Sequence, residues 1–370
     1  MLLKVAGGVG EHGRNCFYVE SKTLHFLVDC GLMAENPEDP NPHLSYTQIR
    51  RLDVVFLTHS HSDHSRALPW LRESGFTGPV IATAECFRQL SFPVGESIPL
   101  ESLSQGRNAT YKGLSIFWGR TGHCPGGVWF RFTDGNAAIL FSGDYTENAQ
   151  LYACDPIRNQ VAQWAVLDCA YGKNNVRYEE ACQAIKKRAK EILDERGLLA
   201  LPVPRYGRGL ELLKLLEALG EAYPFYGDST FVENFYRLRH ETFWFDKAVF
   251  HSAAYEADRE KDSSIFPHTP KAYTGEARGI VFISDAQLQK GKAQQLVSTL
   301  LERDCRVMAT GTIEKNSFAA TLQEEGKLEQ LFYPVHLHMA QFRTLCAQNH
   351  FQKALPYHTK DFSKQDIWQA

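Results

Sequence analysis

The sequence predicts an α/β protein in two parts, and three observations carry that expectation. In the first half, short apolar strands run repeatedly into His, Asp or Gly. From residue 178 to 311 the chain settles into the strand–helix–strand rhythm of a parallel sheet. The last stretch returns to histidine, in Val335-His336-Leu337-His338 and Tyr357-His358-Thr359.

Composition sets the outer bounds. A chain of 370 residues accommodates one large domain or two ordinary ones, and 44% apolar with 12% aromatic residues can bury a core. It holds no run of about 18 uncharged apolar residues, so no membrane-spanning helix is expected. The glycine-broken start Met1-Leu2-Leu3-Lys4-Val5-Ala6-Gly7-Gly8 does not read as a signal peptide. Nine cysteines, odd in number, scattered and without a CxxC pair, point to free thiols in a reducing compartment, hence to the cytoplasm. A net charge of −3 argues against a general nucleic-acid binder, which would be basic, and leaves room only for a local polyanion patch.

In order, residues 2–6, 16–20 and 24–29 read as a β-meander, each short and β-branched or aromatic. Gly8-Val9-Gly10-Glu11-His12-Gly13 imitates a dinucleotide-binding fingerprint, but the strand and turn after it exclude the helix that motif requires, and the glycines read as a tight loop. Asp29 ends an apolar strand, as a capping group or as a partner that holds a metal ligand in place. After a loop at 35–45, the apolar run 52–57 leads into Thr58-His59-Ser60-His61-Ser62-Asp63-His64. Core positions rarely take a carboxylate and several imidazoles together, so packing does not explain this segment.

Metal does explain it. His59 and His61, two apart on extended chain, put both imidazoles on one side, while Asp63 and His64 enter a helix and turn toward a second ion. Imidazole plus carboxylate without cysteine is the ligand mix of a catalytic zinc centre. The plain alternative is a solvated histidine-rich loop. Beyond a helix at 66–74, a strand at 78–83 and a helix at 84–91, His123 and Asp144 sit where strands run into glycine. Asp168 marks another strand end, before a helix at 178–196. Pro204-Arg205-Tyr206-Gly207-Arg208-Gly209 precedes a helix at 210–219, and 279–284, 292–302 and 306–311 continue the repeat; 252–278 reads as loop.

HSHSDH resembles the HxHxDH signature of the metallo-β-lactamase fold. The interruption after Asp144 and Asp168 by an α/β insert, closed by histidines, is similar to the β-CASP nucleases, the branch that includes ribonuclease J. The resemblance implies a metallo-β-lactamase αββα sandwich with an inserted α/β β-CASP cap: core in 1–172, cap in 173–334, closing core in 335–370. It implies two divalent ions, zinc or else manganese: His59, His61 and His123 hold one, Asp63, His64 and His358 the other, and Asp144 bridges. Asp168 falls on the family's motif A, His338 on motif B and His358 on motif C. His336 and Ala340 stand where motif B usually has Ser and Asp, and Thr359-Lys360 where motif C often has Gly-Glu.

The implied activity is hydrolysis of RNA phosphodiester bonds by a two-metal-activated hydroxide, with Asp63, His338 and Asp168 in the catalytic set and Asp29 behind the ligands. Arg205, Arg208 and His336 would contact single-stranded RNA, while Lys186, Lys187, Arg188 and Lys190 read first as a solvated helix face. In this family a motif C histidine accompanies RNA cleavage, so His358 favours RNA over DNA. The rival expectations are a thioester or other small-ester hydrolase, a DNA nuclease of the same family, and a non-catalytic nucleic-acid-binding scaffold.

Overall fold

A computed structural model of the chain describes residues 1–251, 265–363 and 365–369. Residues 252–264, about half of the stretch read as loop from sequence, lie outside them, and the described remainder includes the short strand Lys271–Ala272. The chain divides into two compact units: Met1–Glu147, Cys154–Asn175 and His336–Ala370 form the first, and Asn148–Ala153 with Val176–Val335 the second.

Alternation of side chains along the strands explains the layers of the first unit. In His25–Val28 and Val54–Phe56, Phe26 and Phe56 face one way and Leu27 and Val55 the other. Phe26 and Phe56 meet Phe132 of the second sheet, with ring centroids 4.8 and 4.7 Å apart, and Phe17 meets Phe141 at 5.6 Å. This aromatic seam joins the two sheets. Leu27, Val55 and Val80 instead pack with Ile49, Leu68, Leu71 and Cys86 from the helices Tyr46–Arg51, Leu68–Glu73 and Ala84–Gln89. Behind the other sheet, Phe342, Leu345 and Cys346 of the helix Met339–Ala347 pack on Ala165, Leu167 and Ala354. The layers therefore run helix, sheet, sheet, helix, as the resemblance implies.

Among the described residues the first sheet has six strands in chain order, from Leu2–Gly7 to Ser97–Pro99. The second runs Trp368–Gln369, His350–Tyr357, Val161–Asp168, Ala137–Phe141, Val128–Asp134, Leu114–Arg120, Asn108–Tyr111 and Ser104–Gln105. His350–Tyr357 lies parallel to Val161–Asp168, pairing Asp168 with Tyr357, so the closing segment brings His358 beside Asp168.

The second unit is a doubly wound parallel sheet, in the order Lys271–Ala272, Phe225–Gly227, Gly279–Ile283, Leu198–Pro202, Arg306–Ala309 and Leu328–Gln330 among the described residues. Its strands read as continuous apolar runs because both faces are covered. Leu199, Leu201 and Phe282 face the helices Tyr178–Arg196, Arg208–Leu215 and Ser229–Leu238, while Ala200, Val281 and Ile283 face Gly291–Glu302 and Phe318–Glu324.

Two helices depart from expectation. The one after the metal-ligand motif is split into Ser62–Ser65 and Leu68–Glu73, with Pro69 in the first turn of the latter, where its missing N–H costs nothing. The one at 210–219 begins at Arg208 and ends at Leu215, followed by a tighter turn at Glu217–Leu219. Strands of three or four residues, such as Ser97–Pro99, Asn108–Tyr111 and Phe225–Gly227, are too short for period-two alternation to mark them.

Candidate metal centre

The strand Val54–Phe56 delivers Thr58 and His59 to the end of the first sheet, and His61 then serves as N-cap of the four-residue helix that carries Asp63 and His64. Glycine makes the close approach possible. A Cβ on Gly31 would lie 1.6 Å from the Asp63 carbonyl oxygen, so the chain after Asp29 can pass the ligand loop only without a side chain. Asp144 follows Gly143, whose φ of +57° turns the strand Ala137–Phe141 inward, and His358 itself has φ +68° at the end of His350–Tyr357. A histidine in the left-handed region is a strained position that the surrounding structure must hold.

These turns bring the candidate ligating atoms together. His59, His61, His123 and Asp144 form one group whose atoms all lie within 4.8 Å of one another; Asp63, His64, Asp144 and His358 form a second. Asp144, 2% exposed, belongs to both. Its Oδ2 lies 3.5 Å from His59 Nε2 and 3.6 Å from His123 Nε2, and its Oδ1 lies 3.1 Å from His64 Nε2 and 3.2 Å from His358 Nδ1. Although burial alone would raise it, the Asp144 carboxyl is held well below the usual range by His64, His358, His336 and His59. Burial and the neighbouring His64 hold the His59 imidazole neutral, the form that ligates.

The residues fit divalent ions. His59 Nε2 and both ring nitrogens of His358 are buried yet have no hydrogen-bond partner among the described residues. The His358 nitrogens nevertheless stand 2.9 Å from Asp63 Oδ2 and 3.2 Å from Asp144 Oδ1. Close approach without hydrogen-bond geometry is what donors converging on a common ion require, and buried unpaired imidazole nitrogens are costly otherwise.

Behind the ligands, Asp29 accepts hydrogen bonds from Thr58 N–H at 2.7 Å and Thr58 Oγ1 at 2.8 Å, and its Oδ2 lies 2.8 Å from His64 Nδ1. Asp29 thus both caps the backbone at Thr58 and contacts the His64 imidazole at Nδ1, with His64 Nε2 toward Asp144. Asp168 Oδ2 accepts from Tyr145 N–H and Oδ1 from Ala170 N–H, both at 2.9 Å, fixing the turn after Asp144.

The closing segment gives its two nearby histidines different surroundings. His336 Nδ1 lies 3.0 Å from Asp168 Oδ2 and 3.8 Å from Asp144 Oδ2, and His336 joins Asp144, Asp168 and His358 in a third group of potential ligands. His338 is in none of these groups; it is the N-cap of Met339–Ala347, its own N–H donating to Gln341 Oε1 at 3.1 Å. Arg205 and Arg208 belong to the second unit: the Arg205 guanidinium lies 5.4 Å from the Tyr206 ring centre, and Arg208 opens its helix with its guanidinium against Gly311.

Three residues enter the centre unforeseen. Asn15 Nδ2 is 2.9 Å from His64 Nε2, and the Tyr357 hydroxyl donates to Asp144 Oδ1 at 3.1 Å. The His12 ring stands edge-on to His358, centroids 4.3 Å apart, with burial pushing its pKa down to about 3. The glycines around His12 signalled a tight loop, and Gly8 does shape it: its carbonyl accepts the His358 N–H.

Comparison with known proteins places this geometry in a family. The profile of the metallo-beta-lactamase superfamily matches residues 9–193, half of the chain. The transcription termination factor FttA of Lokiarchaeum is 26% identical over 247 residues, 58% of this chain and 39% of that protein. Ribonuclease TTHA0252 of Thermus thermophilus is 25% identical over 218 residues, 54% of this chain and 50% of the relative. The endoribonuclease ysh1 of Emericella nidulans is 25% identical over 250 residues, 59% and 28%. The chain thus spans half or less of the length of these relatives. A protein of unknown function from Enterococcus faecalis superposes with a TM-score of 0.56 at 13% identity, covering 97% of this chain and 94% of its own, which supports the fold alone. With its HxHxDH segment, sandwich architecture and clustered donors inside the matched region, the chain belongs to the metallo-β-lactamase superfamily.

Proposed function

We propose that the protein is a metal-dependent ribonuclease of the β-CASP branch, hydrolysing phosphodiester bonds of single-stranded RNA. The observation that carries the proposal is Asp144, buried and common to two four-residue donor groups, which suits a two-ion phosphodiester hydrolase. Relatives named as a ribonuclease and an endoribonuclease support the reaction class.

In this reading His59, His61 and His123 hold one ion, Asp63, His64 and His358 the other, and Asp144 both, with Zn2+ preferred and Mn2+ the alternative. When bound, the ions supply a nucleophile at neutral pH and offset charge on the phosphoryl oxygens. The chain's own residues do the rest. Asp29 fixes the orientation of His64 through Nδ1. Asp168 holds His336 toward the centre, where its imidazole contacts the scissile phosphate, and His338 is the candidate for protonating the leaving oxygen. Residues 173–334 form the cap, from which Arg205 and Arg208 grip phosphates. Nine free thiols agree with a cytoplasmic setting, and among the described residues no helix is long and apolar enough to cross a membrane.

The test is a time course on 5′-labelled single-stranded RNA and the matching DNA with zinc or manganese, for the native chain and His61→Ala. Metal-dependent RNA cleavage lost in the variant is the expected result. Intact RNA and DNA with hydrolysis of a small thioester would overturn the assignment, and DNA cleavage alone would move it to the DNA nucleases.

A further inference from the structure

The second unit contains a crevice that the metal centre does not use. The chain leaves the strand Phe225–Gly227 through Ser229–Leu238 and next pairs on that strand's outer side, at Lys271–Ala272. It leaves the adjacent strand Gly279–Ile283 through Gly291–Glu302 and goes the other way, past Leu198–Pro202 to Arg306–Ala309. The two helices pack on opposite faces of the sheet, Phe231 and Phe235 in one core and Val297 and Leu300 in the other. Neighbouring parallel strands whose connections diverge leave a gap at their carboxyl ends, and that gap is where open α/β sheets bind ligands.

A cleft of about 220 Å³ occupies that position, between the first turns of both helices. Its charge is unevenly committed. Asp228 accepts from Phe231 N–H and Ser284 N–H, both at 2.7 Å, and Asp285 accepts from Lys290 N–H at 2.7 Å, so both carboxylates are engaged in closing the backbone. Gly291–Glu302 has no side-chain cap, leaving first-turn N–H groups and the positive end of a twelve-residue helix at the cleft. Lys290 and Lys292 on its rim are exposed and make no ion pair among the described residues. Independently of the helix, Ser284 on the cleft wall is 4% exposed and its hydroxyl has no hydrogen-bond partner among the described residues. A buried hydroxyl left unpaired beside free N–H donors and two ammonium groups matches an oxyanion with several acceptor atoms. The volume lies below the roughly 300–1,000 Å³ of drug-sized pockets and suits a phosphate or sugar phosphate.

We propose that this cleft binds a phosphoryl group, held by the N-terminus of Gly291–Glu302, Lys290, Lys292 and the Ser284 hydroxyl. The phosphoryl group belongs either to a free mononucleotide or to a nucleic-acid strand. The site does not depend on the metal centre or on the ribonuclease assignment.

The test follows the backbone amides of the isotopically labelled full chain, carrying His61→Ala, during titration with inorganic phosphate, AMP and a short RNA lacking terminal phosphates. Saturable shifts at Ser284, Gly291, Lys292 and Ala293 are expected. Lys290→Ala with Lys292→Ala should weaken the binding about tenfold or more, and Ser284→Ala should weaken it with both lysines in place. Shifts with phosphate and AMP but not RNA assign a free-nucleotide site; shifts with RNA assign a strand-phosphate site. No shift at these amides with any probe, or unchanged affinity in the double variant, overturns the proposal.

Discussion

His336 and Asp168 meet at 3.0 Å, Nδ1 to Oδ2, although 168 positions separate them in the chain. Asp168 is fully buried and already anchors the turn after Asp144, so it fixes His336 against a rigid support. His338, only two residues on, gives its backbone N–H to the start of a helix, and its ring is in none of the donor groups among the described residues.

The first prediction separates these two imidazoles. His336→Ala should lower kcat for RNA cleavage by about 10²–10⁴, the range of a lost acid–base or phosphate contact, with bound metal unchanged. His338→Ala should cost less. Single-turnover rates together with metal content by mass spectrometry check this, and the reverse order would make proton transfer by His338, not the phosphate contact of His336, the larger contribution.

Asp29 should act through the metal. Asp29→Ala removes the partner of His64 Nδ1 and of the Thr58 N–H and hydroxyl, and should lower affinity for the ion at His64 by about 10–100-fold. Competition with a chromophoric chelator reads the affinity directly. Unchanged affinity would make Asp29 a purely structural cap.

Ion removal should also destabilise the first unit, because a ligand bound only by the folded state adds about 2.7 kcal/mol at a hundredfold excess over Kd. The melting temperature should rise with zinc concentration in the native chain and respond weakly in Asp144→Asn. A melting temperature indifferent to chelator would contradict the ligand set.

Glu211 offers a pH prediction away from the centre. Its carboxylate accepts from the Gln150, Leu151 and Tyr152 N–H groups and the Tyr333 hydroxyl, while burial pushes its pKa up. With the folded value above the unfolded one, the folded state holds the proton longer. Its contribution to stability is therefore greatest below the unfolded value and declines as pH rises through the raised folded value. Glu211→Gln should abolish that slope in urea unfolding and cost about 1–3 kcal/mol at neutral pH, because an amide N–H would face a backbone N–H. A retained slope would assign it to another group.

The sequence reveals some parts of this molecule better than others, for physical reasons. His59, His61, Asp63 and His64 are contiguous, so their chemistry shows without tertiary structure. His123 and Asp144 announce themselves by the glycines that turn their strands inward. The choice between His336 and His338 is hidden, since it depends on where the helix Met339–Ala347 starts and which ring then turns toward Asp168. Asn15, His12 and Tyr357 reach the centre only through loop packing and sheet register. The long helix Tyr178–Arg196 is legible from its polar–apolar period, whereas Phe225–Gly227 carries too few residues to show one.

The parallel pairing of His350–Tyr357 with Val161–Asp168 imposes a timetable on synthesis. A ribosome releases His59, His61, His123 and Asp144 early, then must translate the whole second unit before His336 and His358 emerge. Until then the edge of Val161–Asp168 stays unzipped and one donor group lacks its last imidazole.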